Sequence, residues 1–76
     1  MPLIKTIDSI KIFIYHKDHN PPHFHAIYAD REELITIHDL QTYKGSLPTN
    51  QRKKVIQWAT EKQHYLIEKW NEFNPS

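Results

Sequence analysis

With ten lysines and arginines against nine aspartates and glutamates, and a formal net charge of +1 over 76 residues, the chain carries no general field that would draw it to nucleic acid. The absence of cysteine excludes disulfide staples and thiolate chemistry, so any metal must be held by histidine and carboxylate. A hydrophobic content of 38% can fill one thin core, since a domain this small buries only about 60% of the surface its unfolded chain exposes.

At the start, MPLIKTID lacks the basic start and long apolar stretch of a secretory leader, and no run approaches the ~18 apolar residues that a membrane span needs. The expectation is a cytoplasmic protein with no membrane association, folded as a single domain over 1–76. LIKTI is an edge-strand candidate. IKIFIYH, Ile10 to His16, alternates and is rich in β-branched and aromatic residues, which marks a strand with two unlike faces. Ile10, Ile12 and Ile14 share one face, and Lys11, Phe13 and Tyr15 the other. KDHNPP then breaks the pattern, because successive prolines fix φ and remove amide donors. HFHAIYA resumes alternation, DREE turns it, and LITIHD, Leu34 to Asp39, alternates again. LQTYKG is a further short-strand candidate before Gly45.

After GSLP the period changes. Val55, Ile56, Ala59, Tyr65, Leu66, Ile67, Trp70 and Phe73 recur at helical spacing with no glycine or proline until Pro75. Ser46 or Thr49 is the expected N-cap, with Pro48 in the first turn. The predicted fold is therefore α+β: an antiparallel meander of three to five strands over about 1–45, packed on one face by a single long C-terminal helix over about 47–73. Trp58, Trp70, Tyr65 and Phe73 sit at helical spacing and read as core or contact residues. His64 reads as solvent-facing.

One helix covers one side of a sheet, and residues two apart on a strand share a side. If Phe24, Ala26 and Tyr28 meet the helix, His23, His25 and Ile27 point the other way, beside Phe13, Tyr15, Thr36 and His38. Ile35 and Ile37 then go to the core. The uncovered face is partly aromatic and partly imidazole, so a homodimer partner, a small protein partner or RNA is expected on it.

The strongest chemical signal is HNPPHFH, His19 to His25, which holds three of the six histidines in seven residues. It admits three readings. In the first, His23 and His25 are the acid and base of a ribonuclease-type reaction, suited by an ordinary imidazole pKa of about 6.5. Phe13 and Tyr15 would stack bases, His19, Asn20 and His38 would line the site, and Lys44, Arg52, Lys53 and Lys54 near the helix start would hold phosphate. In the second, a His-x-His strand pair aims two imidazoles at one point, and His19, or else His16, Asp18 or His38, completes a site for a single divalent zinc, nickel or iron. In the third, Asp18, Asn20 and the two prolines shape a turn, a cis bond among its options, and the chain is an interaction module without chemistry.

The chain resembles the small bacterial family catalogued as domain of unknown function 4160. DHNPPHFHAIY, the preceding IKIFIYH, GSLP at Gly45 to Pro48, and the helical Trp58 and Trp70 carry the likeness across nearly the whole length. The resemblance implies a bacterial, cytosolic protein encoded beside a second small protein, in pairs suggestive of toxin–antitoxin modules, and it implies no activity. The chain departs from the family pattern in placing Ile27, Thr36 and His38 where acidic residues are usual, and Asp30 and Arg31 where glycines are. The expected function is thus one half of a two-protein, toxin–antitoxin-like module that acts on RNA or a protein partner through the histidine cluster. Metal binding and purely structural interaction are the alternatives.

Overall fold

The computed structural model describes residues 3–75, so the first two residues of the expected meander lie outside the described residues. Five strands, β1 (Leu3–Ile7), β2 (Ile10–Phe13), β3 (His23–Tyr28), β4 (Arg31–Thr36) and β5 (Thr42–Gly45), form one antiparallel sheet in chain order. Both edge-strand candidates are present, as β1 and β5. Two helices follow, α1 (Thr49–Thr60) and α2 (Gln63–Phe73). Among the described residues no helix is long and apolar enough to cross a membrane.

Tight turns set the register. Ile7 pairs with Ile10 across Asp8 and Ser9, both at positive φ as a two-residue hairpin turn requires. Tyr28 pairs with Arg31 across Ala29 and Asp30. The turn therefore lies ahead of the expected DREE, and Arg31, Glu32 and Glu33 belong to the strand. The strand also ends earlier than expected, at Thr36. There the Thr36 N–H donates to the Gln41 carbonyl at 3.0 Å, the Leu40 N–H to the Thr36 carbonyl at 2.9 Å, and the Thr36 hydroxyl to Asp39.

This register places Glu33 opposite Ala26, on the core side of the sheet. Glu33 is only 1% exposed. Its carboxylate accepts from the Leu47 N–H at 3.0 Å, from Arg52 Nε at 2.9 Å and from the Thr42 hydroxyl. One buried anion thus joins β4, β5 and the start of α1. The hydroxyl of Ser46 is taken by Arg31 at 2.9 Å, so it does not cap α1, and Pro48 stands at the N-cap with no side-chain cap. Gly45 has φ +76°, and a Cβ there would lie 2.2 Å from the Glu32 carbonyl oxygen. Only glycine fits.

The core unites Ile10, Ile12, Ile14, Phe24, Ala26, Ile35 and Ile37 from the sheet with Leu47, Val55, Ala59, Leu66 and Trp70. The expected single helix is in fact two. Glu61 and Lys62 turn back with N–H bonds to the Trp58 and Ala59 carbonyls, and the Thr60 hydroxyl bonds the Ile56 carbonyl at 2.7 Å, a contact that bends helices. Gln63 Nε2 then donates to the carbonyls of Ile37 and His38 at 2.9 and 3.0 Å, which fastens the start of α2 to the end of the β4 segment.

Candidate metal centre

The alternation of β3 sends Phe24 and Ala26 into the core and His23 and His25 to the other face, but that face is not the open one expected, since His23 is only 2% exposed. The connection from β2 to β3 then folds over that face. Regular pairing ends at Phe13, and the segment beyond is held by Asn74 at the end of α2. Asn74 Oδ1 accepts the Asp18 N–H at 2.6 Å, while its Nδ2 donates to the carbonyls of Tyr15 at 3.0 Å and Trp70 at 3.2 Å. The Ile37 N–H fixes the other end of the turn on the Pro22 carbonyl at 3.0 Å. Asn20–Pro21 is cis.

Asp18 is thereby brought over the histidines. Its Oδ1 accepts the His19 N–H at 2.8 Å, and its Oδ2 lies 3.1 Å from Nε2 of both His23 and His25. The other nitrogen of each ring is also engaged. His23 Nδ1 lies 2.8 Å from the Pro21 carbonyl oxygen, and His25 Nδ1 lies 2.9 Å from Glu32 Oε2. His23 is 2% exposed and His25 13%. The His23 ring is packed among Trp70, Tyr43 and His25 at centroid distances of 5.2, 5.4 and 5.1 Å.

A neutral imidazole has one N–H. Both nitrogens of His23 face oxygens that only accept, the Pro21 carbonyl at Nδ1 and the Asp18 carboxylate at Nε2, so a neutral ring leaves one of its lone pairs facing an oxygen. His25 is placed in the same way, between Glu32 at Nδ1 and Asp18 at Nε2. With the protons on Nδ1, two Nε2 lone pairs and an anionic oxygen converge on one small volume. Only positive charge placed there, as further protons or as a cation, makes the convergence favourable. The Asp18 carboxyl itself is held below the ordinary carboxylate range. Partial burial works against this, and the His25 hydrogen bond, the His19 amide and the imidazoles' charge outweigh it. The Tyr15 phenol moves the opposite way, raised by burial and by Glu32 and Asp18, and its ring stands edge-on to His25 at 4.4 Å.

The remaining predicted residues scatter. His19 is exposed and stands in the wall of a cleft of about 410 Å3 with Asp18, His23, Leu34, Tyr43 and Lys44. Its ring is not in the trio, and Asp18 takes the third place. Asn20 lines a second cleft of about 400 Å3 that runs from Asp18 to Trp70, Asn71 and Asn74. Phe13 is stacked on Tyr15 at 5.8 Å and buried, so it offers no open ring for a base. His38 is exposed beyond β4. Arg52 is committed to Glu33, Lys54 pairs with Asp8 at 3.1 Å, and Lys53 is exposed on α1, so they form no joint phosphate site with the histidines. Glu32, Asn74 and Tyr43 were not foreseen. Glu32 was readable from the turn alone: once Ala29 and Asp30 make the hairpin, Glu32 faces Ile27 and falls on the His25 side.

Fold and site together define a small α+β protein with a carboxylate–imidazole cluster where the β2–β3 connection closes over its sheet. The family model described as Domain of unknown function (DUF4160) matches residues 9–71, and the chain belongs to that family. The matched span includes Asp18, His23, His25 and Glu32 and stops short of Asn74. No curated protein and no solved structure matches the chain.

Proposed function

We propose that this protein is a metal-binding domain that holds a single divalent transition metal through His23 Nε2, His25 Nε2 and Asp18 Oδ2. The observation that carries the reading is that these three donor atoms converge, all within 4.8 Å of one another, while the far nitrogen of each ring is already held by an acceptor. Ligating histidines are oriented in this way, through a carbonyl or carboxylate on the other nitrogen. The spacing fits on the two edges that meet at Asp18. Donors about 2.0–2.1 Å from a metal lie about 2.9 Å apart at octahedral angles and about 3.3 Å at tetrahedral ones, and the two Nε2 to Oδ2 separations are 3.1 Å. Two imidazoles and a carboxylate suit zinc, iron or nickel, and three protein ligands leave positions for water or a substrate. A metal so held would polarise a bound oxygen and supply hydroxide near neutral pH.

The second reading is the toxin–antitoxin-like module with acid–base chemistry on RNA. The paired imidazoles on one carboxylate favour it, and the 2% exposure of His23 counts against it, because a general base must reach the hydroxyl it deprotonates. Elemental analysis and zinc titration of the purified protein separate the two. The metal reading expects about one equivalent and a loss of at least about 100-fold in affinity in Asp18→Asn and His25→Ala, since each removes a ligand. A wild-type protein that takes up no divalent metal returns the histidines to acid–base or structural work.

A further inference from the structure

We infer that the open side of this centre is a binding cleft for a phosphate ester bearing an aromatic group, a nucleotide in a strand or free, with Lys44 meeting the phosphate and Tyr43 the base. The inference rests on the metal reading and names what the free coordination positions face.

Sheet register puts Lys44 there. Phe13 pairs with His25, His25 with Leu34 and Leu34 with Lys44, so these four side chains form one row across the face that carries the histidines. Two strand spacings place the Lys44 backbone about 10 Å from that of His25, a span that a long flexible ammonium stem and one bound oxyanion can bridge. Tyr43 arrives by a different device. Leu34 pairs with Lys44 and Ile35 with Thr42, which leaves Tyr43 as the extra residue of a β-bulge. In an unbroken strand Tyr43 and Lys44 would point to opposite faces. Here Thr42 turns to Glu33 on the core side, while Tyr43 and Lys44 both line the 410 Å3 cleft that contains Asp18 and His23.

Charge and shape agree on the ligand. Asp18 is engaged by the two imidazoles, and Lys44 makes no ion pair among the described residues. A divalent metal added to that set leaves the cleft net positive. The Tyr43 ring rests against His23 on one side and is 49% exposed, an aromatic surface on which a base can stack. The volume lies within the range of small-ligand sites.

The test is titration of zinc-loaded protein with inorganic phosphate, with adenosine 5′-monophosphate and with a short single strand of RNA, followed by calorimetry. Lys44→Gln should leave zinc uptake unchanged and weaken all three by about tenfold, the loss of a charge-assisted contact. Tyr43→Ala should weaken the nucleotide and the strand by about fivefold and leave inorganic phosphate alone. A strand that binds more tightly than the mononucleotide assigns the cleft to a polymer, and equal binding assigns it to a free nucleotide. Absence of zinc uptake overturns the metal reading before any phosphate is added, and this inference with it. Full zinc uptake with phosphate binding that is absent, or indifferent to Lys44→Gln, overturns the cleft alone.

Discussion

Glu33 shows how much one side chain decides. Buried on the core side of β4, it is held below the ordinary carboxylate range: burial pushes its pKa up, but the Thr42 hydroxyl, the Leu47 amide and Arg52 together push it further down. A carboxyl lowered on folding binds protons more strongly in the unfolded chain, so stability rises with pH through this window and falls in acid. The stabilisation is complete above the unfolded carboxyl value of about 4.3 and is lost as the pH falls through the lower folded value. Urea melts between pH 6 and pH 3 should show that loss in the wild type and a flatter profile in Glu33→Gln. Glu33→Ala should cost about 2–3 kcal/mol at neutral pH, less than a fully enclosed pair because Arg52 is partly solvated. Gly45→Ala should cost about 2 kcal/mol or more, from the positive φ and from the clash with the Glu32 carbonyl.

Among the elements, the connection between β2 and β3 depends on α2. Asn74 is its clasp: one amide side chain satisfies the Asp18 N–H and the Tyr15 and Trp70 carbonyls, joining parts of the chain far apart in sequence. Asn74→Ala should lower zinc affinity by about 10- to 100-fold, as loss of groups that orient ligands does, and the d–d spectrum of the cobalt-substituted protein should change with it. A variant with full affinity and an unchanged spectrum would make Asn74 a fastener of the fold alone. The same element scale explains what was legible in the chain. Isoleucine recurs at every second residue over 10–14, and histidine alternates with Phe24 and Ala26 over 23–26, a period that belongs to strands, and the faces of His23 and His25 follow from it. Glu33 hides the start of β4, because a glutamate at a core position reads as turn until its partner Arg52, distant in sequence, is known. The break between α1 and α2 is equally hidden. The buried Val55, Ala59, Leu66 and Trp70 fall on one stripe of an unbroken helix, and the polar stretch around Glu61 contains no glycine or proline.

For the molecule as a whole, the core is a single layer between one sheet face and two short helices, so each large buried side chain carries a sizeable share of the stability. Leu66→Ala should cost about 2–5 kcal/mol and bring the chain close to unfolding at 37 °C. The site sits where this layer ends. Trp70 closes both the core and the side of His23, and Asp18 reaches the histidines only because α2 ends beside the β2–β3 connection. The Asp18 position could be proposed from sequence only as one of several third ligands, since it depends on Asn74, on the Pro22 carbonyl and on the helix end together. A metal bound by residues from the connection and β3 would tie them to one another and so stabilise the fold by mass action.

Thermal melting of the purified, tag-free protein in EDTA and with zinc tests the proposed metal binding most directly. A ligand at about 100 times its Kd adds about 2.7 kcal/mol, and for a chain of this size that raises Tm by about ten degrees or more. The proposal predicts such a rise with zinc, its reversal by EDTA, and its absence in Asp18→Asn. Melting curves that coincide with and without zinc, for wild type and variant alike, would contradict it.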